Sequence, residues 1–349
     1  ESKRMDLFSQ YALFSSKEAV QRSGLALDRE DPFRVGVVYG SGIGGINVLE
    51  EQVKVYLTKG PGRVSPFYIV GMIPDIAAGH ISMMFGLRGP NYGTVSACAT
   101  GANAIGAAYH EILLDNADVM IAGGSEGAVS PTSIAGFMNI KALSTRNDEP
   151  EKASRPYDIN RDGFIMGEGG GAVILEELEH AKKRGAAIFA ELTGVGATAD
   201  SYHITAPHPE GIGAAKAIEL AVRKSGMRPE NVDYINTHGT ATPAGDVAEI
   251  NAIKRALGDH AYKTHISSTK SMTGHLLGAA GPVEFIATVL AIKNNIVPPT
   301  INLDNQDPEC DLNCTPNVAV EKEVTFALTN SFGFGGHNVT LAVRKFMER

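Results

Sequence analysis

The side chain best suited to covalent chemistry in this sequence is the thiol of Cys98. It lies in residues 95–103, where an apolar, strand-like run turns directly into a helix rich in alanine and glycine. A free cysteine with a pKa of about 8.5 is only a few per cent thiolate at neutral pH, and the unpaired N–H groups of a helix N-terminus lower that pKa. The position predicts a nucleophile, although a lone cysteine among alanines also fits a small buried apolar residue.

Two histidines that are distant in sequence favour the interpretation of Cys98 as a nucleophile. His238 follows a strand-like run, in residues 236–246, and side chains at such strand ends often face a functional site. His275 lies in residues 268–275, in the loop before a predicted helix. Either histidine alone fits a structural residue, but together with Cys98 they form a coherent set for nucleophilic catalysis.

Two competing uses of these motifs receive little support. Zinc requires closely spaced ligands, and no close pair of cysteines and histidines has that spacing; Cys310 and Cys314 lie in a loop rich in proline, asparagine and aspartate. We therefore predict no metal. Residues 40–45 match the G-x-G-x-x-G pattern of dinucleotide sites, but no strand ending in an acidic residue follows roughly 20 residues later. A structural turn is favoured there.

A glycine-rich segment near the C-terminus, residues 330–338, offers flexible backbone and two aromatic rings, those of Phe332 and Phe334. Glycines allow backbone N–H groups to converge on an oxyanion, and a phenylalanine among them can gate a pocket. A simple hairpin turn is the alternative interpretation.

Composition limits the class of protein. The 349 residues are 43% hydrophobic and 20% charged and include 39 glycines, which is typical of a globular α/β protein. No apolar run reaches the ~18 residues of a membrane span, and no signal peptide is apparent, so we expect the cytoplasm or an organelle matrix. Three cysteines, an odd number, suit a reducing compartment. The net charge of −8 disfavours nucleic acid, and an acidic protein partner would need a local basic patch.

Strand-like runs alternate with helical patterns along the chain, which predicts α/β layers. The predicted strands are residues 34–39, 117–122, 171–175 and 232–236, and the predicted helices are residues 9–22, 45–57, 74–85, 100–114, 211–225, 246–257 and 281–293. Residues 96–101 and 271–275 each open a helix of small residues, which suggests duplicated halves whose elbows face each other. We place the halves at 1–178 and 179–349. The chain reaches its first helix without a preceding strand, so we expect a strand upstream.

Several motifs together resemble the β-ketoacyl-acyl carrier protein synthases, with the closest match to the synthase II branch. The likeness runs from about Met5 to the C-terminus. The motifs that carry it are Ser96-Ala97-Cys98-Ala99-Thr100-Gly101, Thr237-His238-Gly239-Thr240, Lys270-Ser271-Met272-Thr273-Gly274-His275, Ser331-Phe332-Gly333-Phe334-Gly335-Gly336, and residues 141–146 and 162–169.

The resemblance implies the thiolase-like fold, five layers in the order α-β-α-β-α with two related halves, and a homodimer. It also implies that the family's first strand and following helix are absent from this chain. His337 stands where many relatives carry threonine, a departure with little bearing on the chemistry.

The resemblance also assigns site residues. Cys98 is the acyl-accepting nucleophile, His238 and His275 act on a malonyl thioester, Lys270 supports His275, and Glu284 is a polar partner behind the site. The N–H groups of Cys98 and Phe334 form the oxyanion hole, and Phe334 is also the gate. The expected substrate contacts are Thr240, Thr242 and Thr205 for phosphopantetheine, Ile43 and Phe137 for the acyl tunnel, and Phe332 beside the gate. The expected docking residues for acidic acyl carrier protein are Lys3, Arg4, Arg63 and Lys141.

The implied reaction is a decarboxylative Claisen condensation of fatty acid elongation. It needs no cofactor of its own, because phosphopantetheine arrives on the carrier protein. Two alternatives remain open at this point. A polyketide ketosynthase shares the same residues, and a noncatalytic partner resembling a chain-length factor keeps the fold but lacks the reactive thiol.

Overall fold

The alternation of strands and helices that the sequence predicts is present in the computed structural model, which describes residues 5–348. These residues divide into two units, each with its own sheet. Unit 1 contains the described residues up to Gly136, Glu168–Ala187 and Leu276–Val283. Unit 2 contains Phe137–Gly167, Ile188–His275 and the described residues from Glu284 onward.

The helices and strands are numbered in chain order. The helices are α1 (Leu7–Ser23), α2 (Ile46–Lys59), α3 (Tyr68–Met72), α4 (Ile76–Phe85), α5 (Thr100–Leu113), α6 (Pro131–Asn139), α7 (Leu178–Lys183), α8 (Ile212–Lys224), α9 (Pro243–Leu257), α10 (Lys270–Thr273) and α11 (Ala280–Asn294). The strands are β1 (Val35–Gly40), β2 (Asn91–Tyr92), β3 (Val119–Glu126), β4 (Gly169–Glu176), β5 (Glu191–Ala199), β6 (Tyr234–Asn236), β7 (His265–Ser267), β8 (Ile296–Val297), β9 (Val320–Glu321), β10 (Phe326–Gly333) and β11 (His337–Arg344).

The two large sheets repeat one topology. In unit 1 the strand order is β2-β1-β3-β4, with β1 parallel to β2 and β3, and β3 antiparallel to β4. In unit 2 the order β7-β6-β10-β11 shows the same directions, since β6 is parallel to β7 and β10, and β10 is antiparallel to β11. A fifth strand, β5, pairs antiparallel with β11. This repeat fits two related halves, while the bounds 1–178 and 179–349 stay a prediction.

Apolar residues from strands and helices form a separate core in each unit. Every residue of β1 and β3 is buried, as expected for strands covered on both faces by helices. In unit 1, Phe8, Val37 and Ile121 belong to one buried cluster. In unit 2, Ile235 and Phe326 from the sheet belong to another cluster together with side chains from α8 and α9.

The predicted elements agree closely with those observed, but the second elbow lies elsewhere. Residues 271–275 do not open the long helix: α10 is a separate turn of helix, and α11 follows a second turn, Leu277–Ala279. Ala97 and Leu277 begin equivalent 3₁₀ turns with positive φ angles of 49° and 52°, and these two turns pack against each other in unit 1. Gly278 therefore occupies the position in its turn that Cys98 occupies in the other.

No helix among residues 5–348 is long and apolar enough to cross a membrane.

Candidate active site

Cys98 lies in a tight elbow between the extended segment after β2 and helix α5. The elbow is a 3₁₀ turn, Ala97–Ala99, whose first residue has a left-handed φ of 49°, a conformation that is uncommon for non-glycine residues. The Thr100 hydroxyl accepts the N–H of Ser96 at 2.9 Å, and the Asn103 amide donates to the Ser96 hydroxyl at 2.6 Å. These bonds fix the turn, and Cys98 within it is 9% exposed.

The loop after β1 carries Ile43, the expected acyl-tunnel residue. The N–H of Ile43 donates to the carboxylate of Glu126 at 3.2 Å, and the N–H of Gly42 donates to the same group at 2.9 Å. The G-x-G-x-x-G match is therefore a turn tied to a buried acid by its backbone, as the structural interpretation predicts.

The two histidines are in contact in unit 2. Their ring centroids lie 5.3 Å apart with an interplanar angle of 86°. His238 follows β6, and its N–H donates to Glu249 at 2.9 Å. His275 follows α10, and its N–H donates to the carbonyl of Ile165 at 2.7 Å. The edge-to-face arrangement leaves each imidazole in a defined orientation.

Burial and one nearby positive charge keep both imidazoles neutral. Desolvation, followed by the charge of Lys270, holds the pKa of His238 and that of His275 well below the usual histidine range. Lys270 forms a buried ion pair with Glu284, and burial raises the pKa of Glu284 to about 7 although Lys270 opposes the shift. A neutral imidazole carries one N–H, so each ring can donate a hydrogen bond to a developing oxyanion.

The expected pantetheine residues form a small hydroxyl pair. The hydroxyls of Thr240 and Thr242 are 3.0 Å apart and hydrogen-bonded. Between them, Ala241 has a φ of 66°, and its N–H donates to the buried carboxylate of Asp246 at 3.1 Å. Arg161 lies 3.3 Å from Asp246. Because this acid and arginine hold the strained residue in place, the two threonines keep a fixed spacing.

The aromatic residues of the glycine-rich segment lie among other rings of unit 2. Phe332, in β10, approaches His238 with centroids 5.7 Å apart. Phe334 lies in the turn between β10 and β11 and approaches Phe137 at 6.3 Å. The segment is a hairpin turn, and it also brings the predicted gate residue beside the predicted acyl-tunnel residue Phe137.

Thr205 lies in the exposed loop after β5. Its N–H donates to the Nδ1 atom of His203 at 3.1 Å. The neighbouring carbonyl of Ile204 accepts the N–H of Gly335 at 2.8 Å. This loop is thus joined to the turn that carries Phe334, although Thr205 is not hydrogen-bonded to the Thr240 and Thr242 pair.

The predicted docking residues are only partly described. Lys3 and Arg4 lie outside the described residues. Arg63 is exposed at the end of the 3₁₀ turn Pro61–Arg63, and Lys141 is exposed shortly after α6 with a φ of 56°. Both described side chains are available to a partner.

Sequence reasoning missed three residues that shape the histidine pair and its loop. Phe164 presents its ring edge-on to His275 with centroids 5.2 Å apart. Glu249 and Asp246, one turn apart on α9, accept backbone N–H groups from the segment that carries His238 and the two threonines. The sequence signal that could have identified the two acids is their position on an otherwise apolar helix face, just after the motif that contains His238.

Family models match most of the chain. The model of the beta-ketoacyl synthase N-terminal domain matches residues 1–181, and that of the beta-ketoacyl synthase C-terminal domain matches residues 189–304.

Curated relatives match nearly the whole chain. The 3-oxoacyl-acyl-carrier-protein synthase 2 of Synechocystis sp. is 54% identical over 346 residues, which are 99% of this chain and 83% of the relative. The protein of the same name from Vibrio harveyi is 50% identical over 349 residues, 100% of this chain and 84% of the relative.

Solved structures share the fold. A ketosynthase of a type II polyketide synthase, in complex with its acyl-carrier protein, has a TM-score of 0.94 and 35% identity over 97% of this chain and 85% of its own. A beta-ketoacyl synthase from Burkholderia phymatum has a TM-score of 0.91 and 37% identity over 99% of this chain and 84% of its own. The fold is therefore thiolase-like, and the chain belongs to the beta-ketoacyl synthase family.

Proposed function

We propose that this protein condenses malonyl-acyl carrier protein with an acyl chain held on Cys98, in fatty acid elongation. The observation that carries the proposal is the edge-to-face pair of His238 and His275, both kept neutral at physiological pH. Two neutral imidazoles in one buried site can donate to a single oxygen as it gains charge, which is what decarboxylation of a malonyl thioester requires.

The first step loads the enzyme. The thiolate of Cys98 attacks the carbonyl of the acyl thioester, and the bond from that carbonyl to the sulfur of phosphopantetheine breaks. The leaving sulfur takes up the proton that Cys98 gave up. The N–H groups of Cys98 and Phe334 are the proposed donors to the tetrahedral oxyanion, and each well-placed donor stabilises such an anion by roughly 3 kcal/mol.

The second step generates the carbon nucleophile. The bond between the malonyl carboxylate and its α-carbon breaks, carbon dioxide leaves, and the electron pair moves toward the thioester oxygen. His238 and His275 donate to this enolate oxygen. The enolate carbon then attacks the acyl carbonyl on Cys98, the carbon–sulfur bond breaks with Cys98 leaving as the thiolate, and the product is a β-ketoacyl chain two carbons longer on the carrier protein.

Every step is a movement of charge onto oxygen or sulfur, so N–H donors and a thiol suffice without a metal or redox cofactor. Phosphopantetheine enters on the carrier protein, with Thr240 and Thr242 as its proposed contacts and Thr205 as a weaker candidate. Arg63 and Lys141, with Lys3 and Arg4, are the proposed docking residues for the acidic carrier.

Fatty acid elongation is favoured over a polyketide pathway because the curated synthase 2 relatives are 50 to 54% identical to this chain, whereas the polyketide ketosynthase structure is 35% identical. The noncatalytic alternative, a partner like a chain-length factor, loses support because the chain retains Cys98, His238 and His275.

We also infer a homodimer from family membership. In unit 1, β2 is an edge strand of its sheet, Tyr92 within it is 38% exposed, and Val95, three residues further along the chain, is 59% exposed. An edge strand with exposed apolar side chains suits pairing with a second copy of the chain. Sedimentation equilibrium tests this: a dimer is the expected result, and a monomer at micromolar concentration would contradict it.

The loading step has a direct test. The protein is mixed with acyl carrier protein bearing an acyl chain, and intact-mass and peptide mass spectrometry locate any adduct. We expect one acyl group on Cys98, and none on the Cys98→Ala variant. An adduct at Cys310 or Cys314, or none in the wild type, would refute the assignment.

A further inference from the structure

The carboxylate of Glu126 joins two segments of unit 1 that are far apart in the sequence. Its Oε1 atom accepts the Ser41 hydroxyl at 2.7 Å and the Ile43 N–H at 3.2 Å. Its Oε2 atom accepts the N–H groups of Gly42 and Gly278, each at 2.9 Å. Glu126 is fully buried at the end of β3, and its bonds to Ser41 and Gly278 are buried while those to Gly42 and Ile43 are partly buried.

Close packing around this carboxylate requires glycine at two of its partners. A Cβ atom on Gly42 would lie 2.9 Å from the carboxylate oxygen and 3.2 Å from the carbonyl oxygen of Ala97, the residue before Cys98. A Cβ atom on Gly278 would lie 2.5 Å from the nitrogen of Gly42. Three segments of unit 1 therefore meet around Glu126: the loop that carries Ile43, the Leu277–Ala279 turn, and the elbow that carries Cys98.

Within residues 5–348, the hydrogen bonds that this acid accepts all come from neutral donors. Burial raises the pKa of Glu126, while the Ser41 hydroxyl and the three N–H groups oppose that shift. A buried acceptor with a complete set of donors is rigid, and loss of one donor leaves a costly unsatisfied group. Such a network is suited to hold the loop that carries Ile43 in one position.

We propose that Glu126 is a positioning residue that fixes Ile43 relative to the Cys98 elbow and thereby determines how long acyl chains are accepted. The inference rests on the proposed function, because it assigns a role within the same acylation step. Under the proposed function an acetyl group would end close to the sulfur, whereas a long chain would extend past Ile43, the proposed acyl-tunnel residue. Misplacement of the loop by about 1 Å therefore reduces acylation by long chains and spares short ones.

The test compares two acyl lengths in the full-length protein. In the Glu126→Gln variant the amide nitrogen opposes either the N–H groups of Gly42 and Gly278 or, in its other orientation, the N–H of Ile43, so at least one hydrogen bond to the loop that carries Ile43 is lost. The rate of Cys98 acylation is measured by mass spectrometry with acetyl-pantetheine and dodecanoyl-pantetheine. We expect the ratio of dodecanoyl to acetyl rates to fall at least about fivefold, with the acetyl rate within about twofold of wild type.

The matched control is Glu18→Gln, which changes an exposed carboxylate on α1 that accepts a hydrogen bond from the Arg22 Nε atom at 2.8 Å. Its ratio should equal that of the wild type. An unchanged ratio in Glu126→Gln, or an equal loss with both thioesters, would overturn the inference. If Glu126→Gln does not fold, Ser41→Ala, which removes one donor and keeps the acid, is judged by the same ratio.

The outcomes separate this inference from the function on which it rests. Failure of the wild type to accept either acyl group would refute the proposed function and the inference with it. Normal wild-type acylation with an unchanged length ratio in the folded variants would refute the role of Glu126 alone.

Discussion

The carboxylate of Glu249 accepts the backbone N–H of His238 at 2.9 Å and that of Gly239 at 2.8 Å. It also accepts the Asn330 side-chain amide at 3.1 Å, which joins helix α9 to strand β10. Because one buried carboxylate accepts two successive backbone N–H groups, the backbone at His238 is held in one conformation. His238 is thus oriented through its backbone, while its Nδ1 atom has no hydrogen-bond partner among residues 5–348.

Replacement of Glu249 by glutamine should weaken decarboxylation without abolishing it. The amide nitrogen of glutamine opposes one of the N–H donors, which shifts the His238 backbone and misplaces its ring. We expect the rate of carbon dioxide release from malonyl-pantetheine to fall by about 10-fold or more, with acylation of Cys98 reduced less.

The control for this variant is Glu219→Gln, an acid on α8 that pairs with Lys216. Equal losses of decarboxylation and acylation would indicate that Glu249 serves stability alone, and thermal unfolding of both variants would show this directly.

Removal of either imidazole should affect decarboxylation most. His238→Ala and His275→Ala each remove one donor to the developing enolate in a buried site, so we expect carbon dioxide release to fall by more than ~10². The measurement is the initial rate of carbon dioxide release from malonyl-acyl carrier protein. Normal rates in both variants would return the two histidines to a structural role.

The pH dependence of decarboxylation should reflect the lowered histidine pKa values. Both rings titrate below the ordinary value of about 6.5, so the neutral, active pair persists as the pH falls through that value. We expect no loss of rate from protonation of the histidines between pH 8 and about 6.5, with the acid limb that they cause at lower pH. Lys270→Met removes a positive charge and should move that limb to higher pH. An acid limb at or above 6.5 in the wild type would contradict the assignment.

Many of the candidate site residues could be predicted from local sequence motifs. The buried acids that hold their backbone in place could not. His238 and the two threonines lie at the end of a short strand, where apolar pattern and motif coincide, and β6 ends at Asn236 as expected. The prediction that residues 271–275 open the long helix α11 is wrong. Small residues favour any tight turn, and only packing against the Ala97–Ala99 turn distinguishes the true elbow, which begins at Leu277.

The buried acid Glu126 shows a second limit of prediction from sequence, because its hydrogen-bond partners are far away along the chain. Glu126 is 85 residues from Ser41 in sequence, and its partner Gly278 is 152 residues away. No local pattern shows that an acid at the end of a buried strand meets backbone N–H groups from two other segments. Such contacts follow from the sheet order β2-β1-β3-β4, which places the ends of β1 and β3 side by side.

Charge at the proposed docking residues should control recognition of the carrier and not the chemistry. Arg63→Glu and Lys141→Glu oppose the acidic carrier protein, so we expect the KM for acyl carrier protein to rise by about fivefold or more and its salt dependence to weaken. Turnover of a small pantetheine thioester should be unchanged. Lys216→Glu, an exposed change on α8, is the control, and equal loss with both substrates would place docking elsewhere.

The most direct test of the account separates its two half-reactions in the Cys98→Ala variant. The variant keeps His238 and His275 and loses the thiol, so malonyl-acyl carrier protein should still release carbon dioxide while no β-ketoacyl product forms. Both are measured in one assay, by carbon dioxide release and by mass spectrometry of the carrier protein. Condensation that survives in this variant would contradict the assignment of Cys98 as the nucleophile.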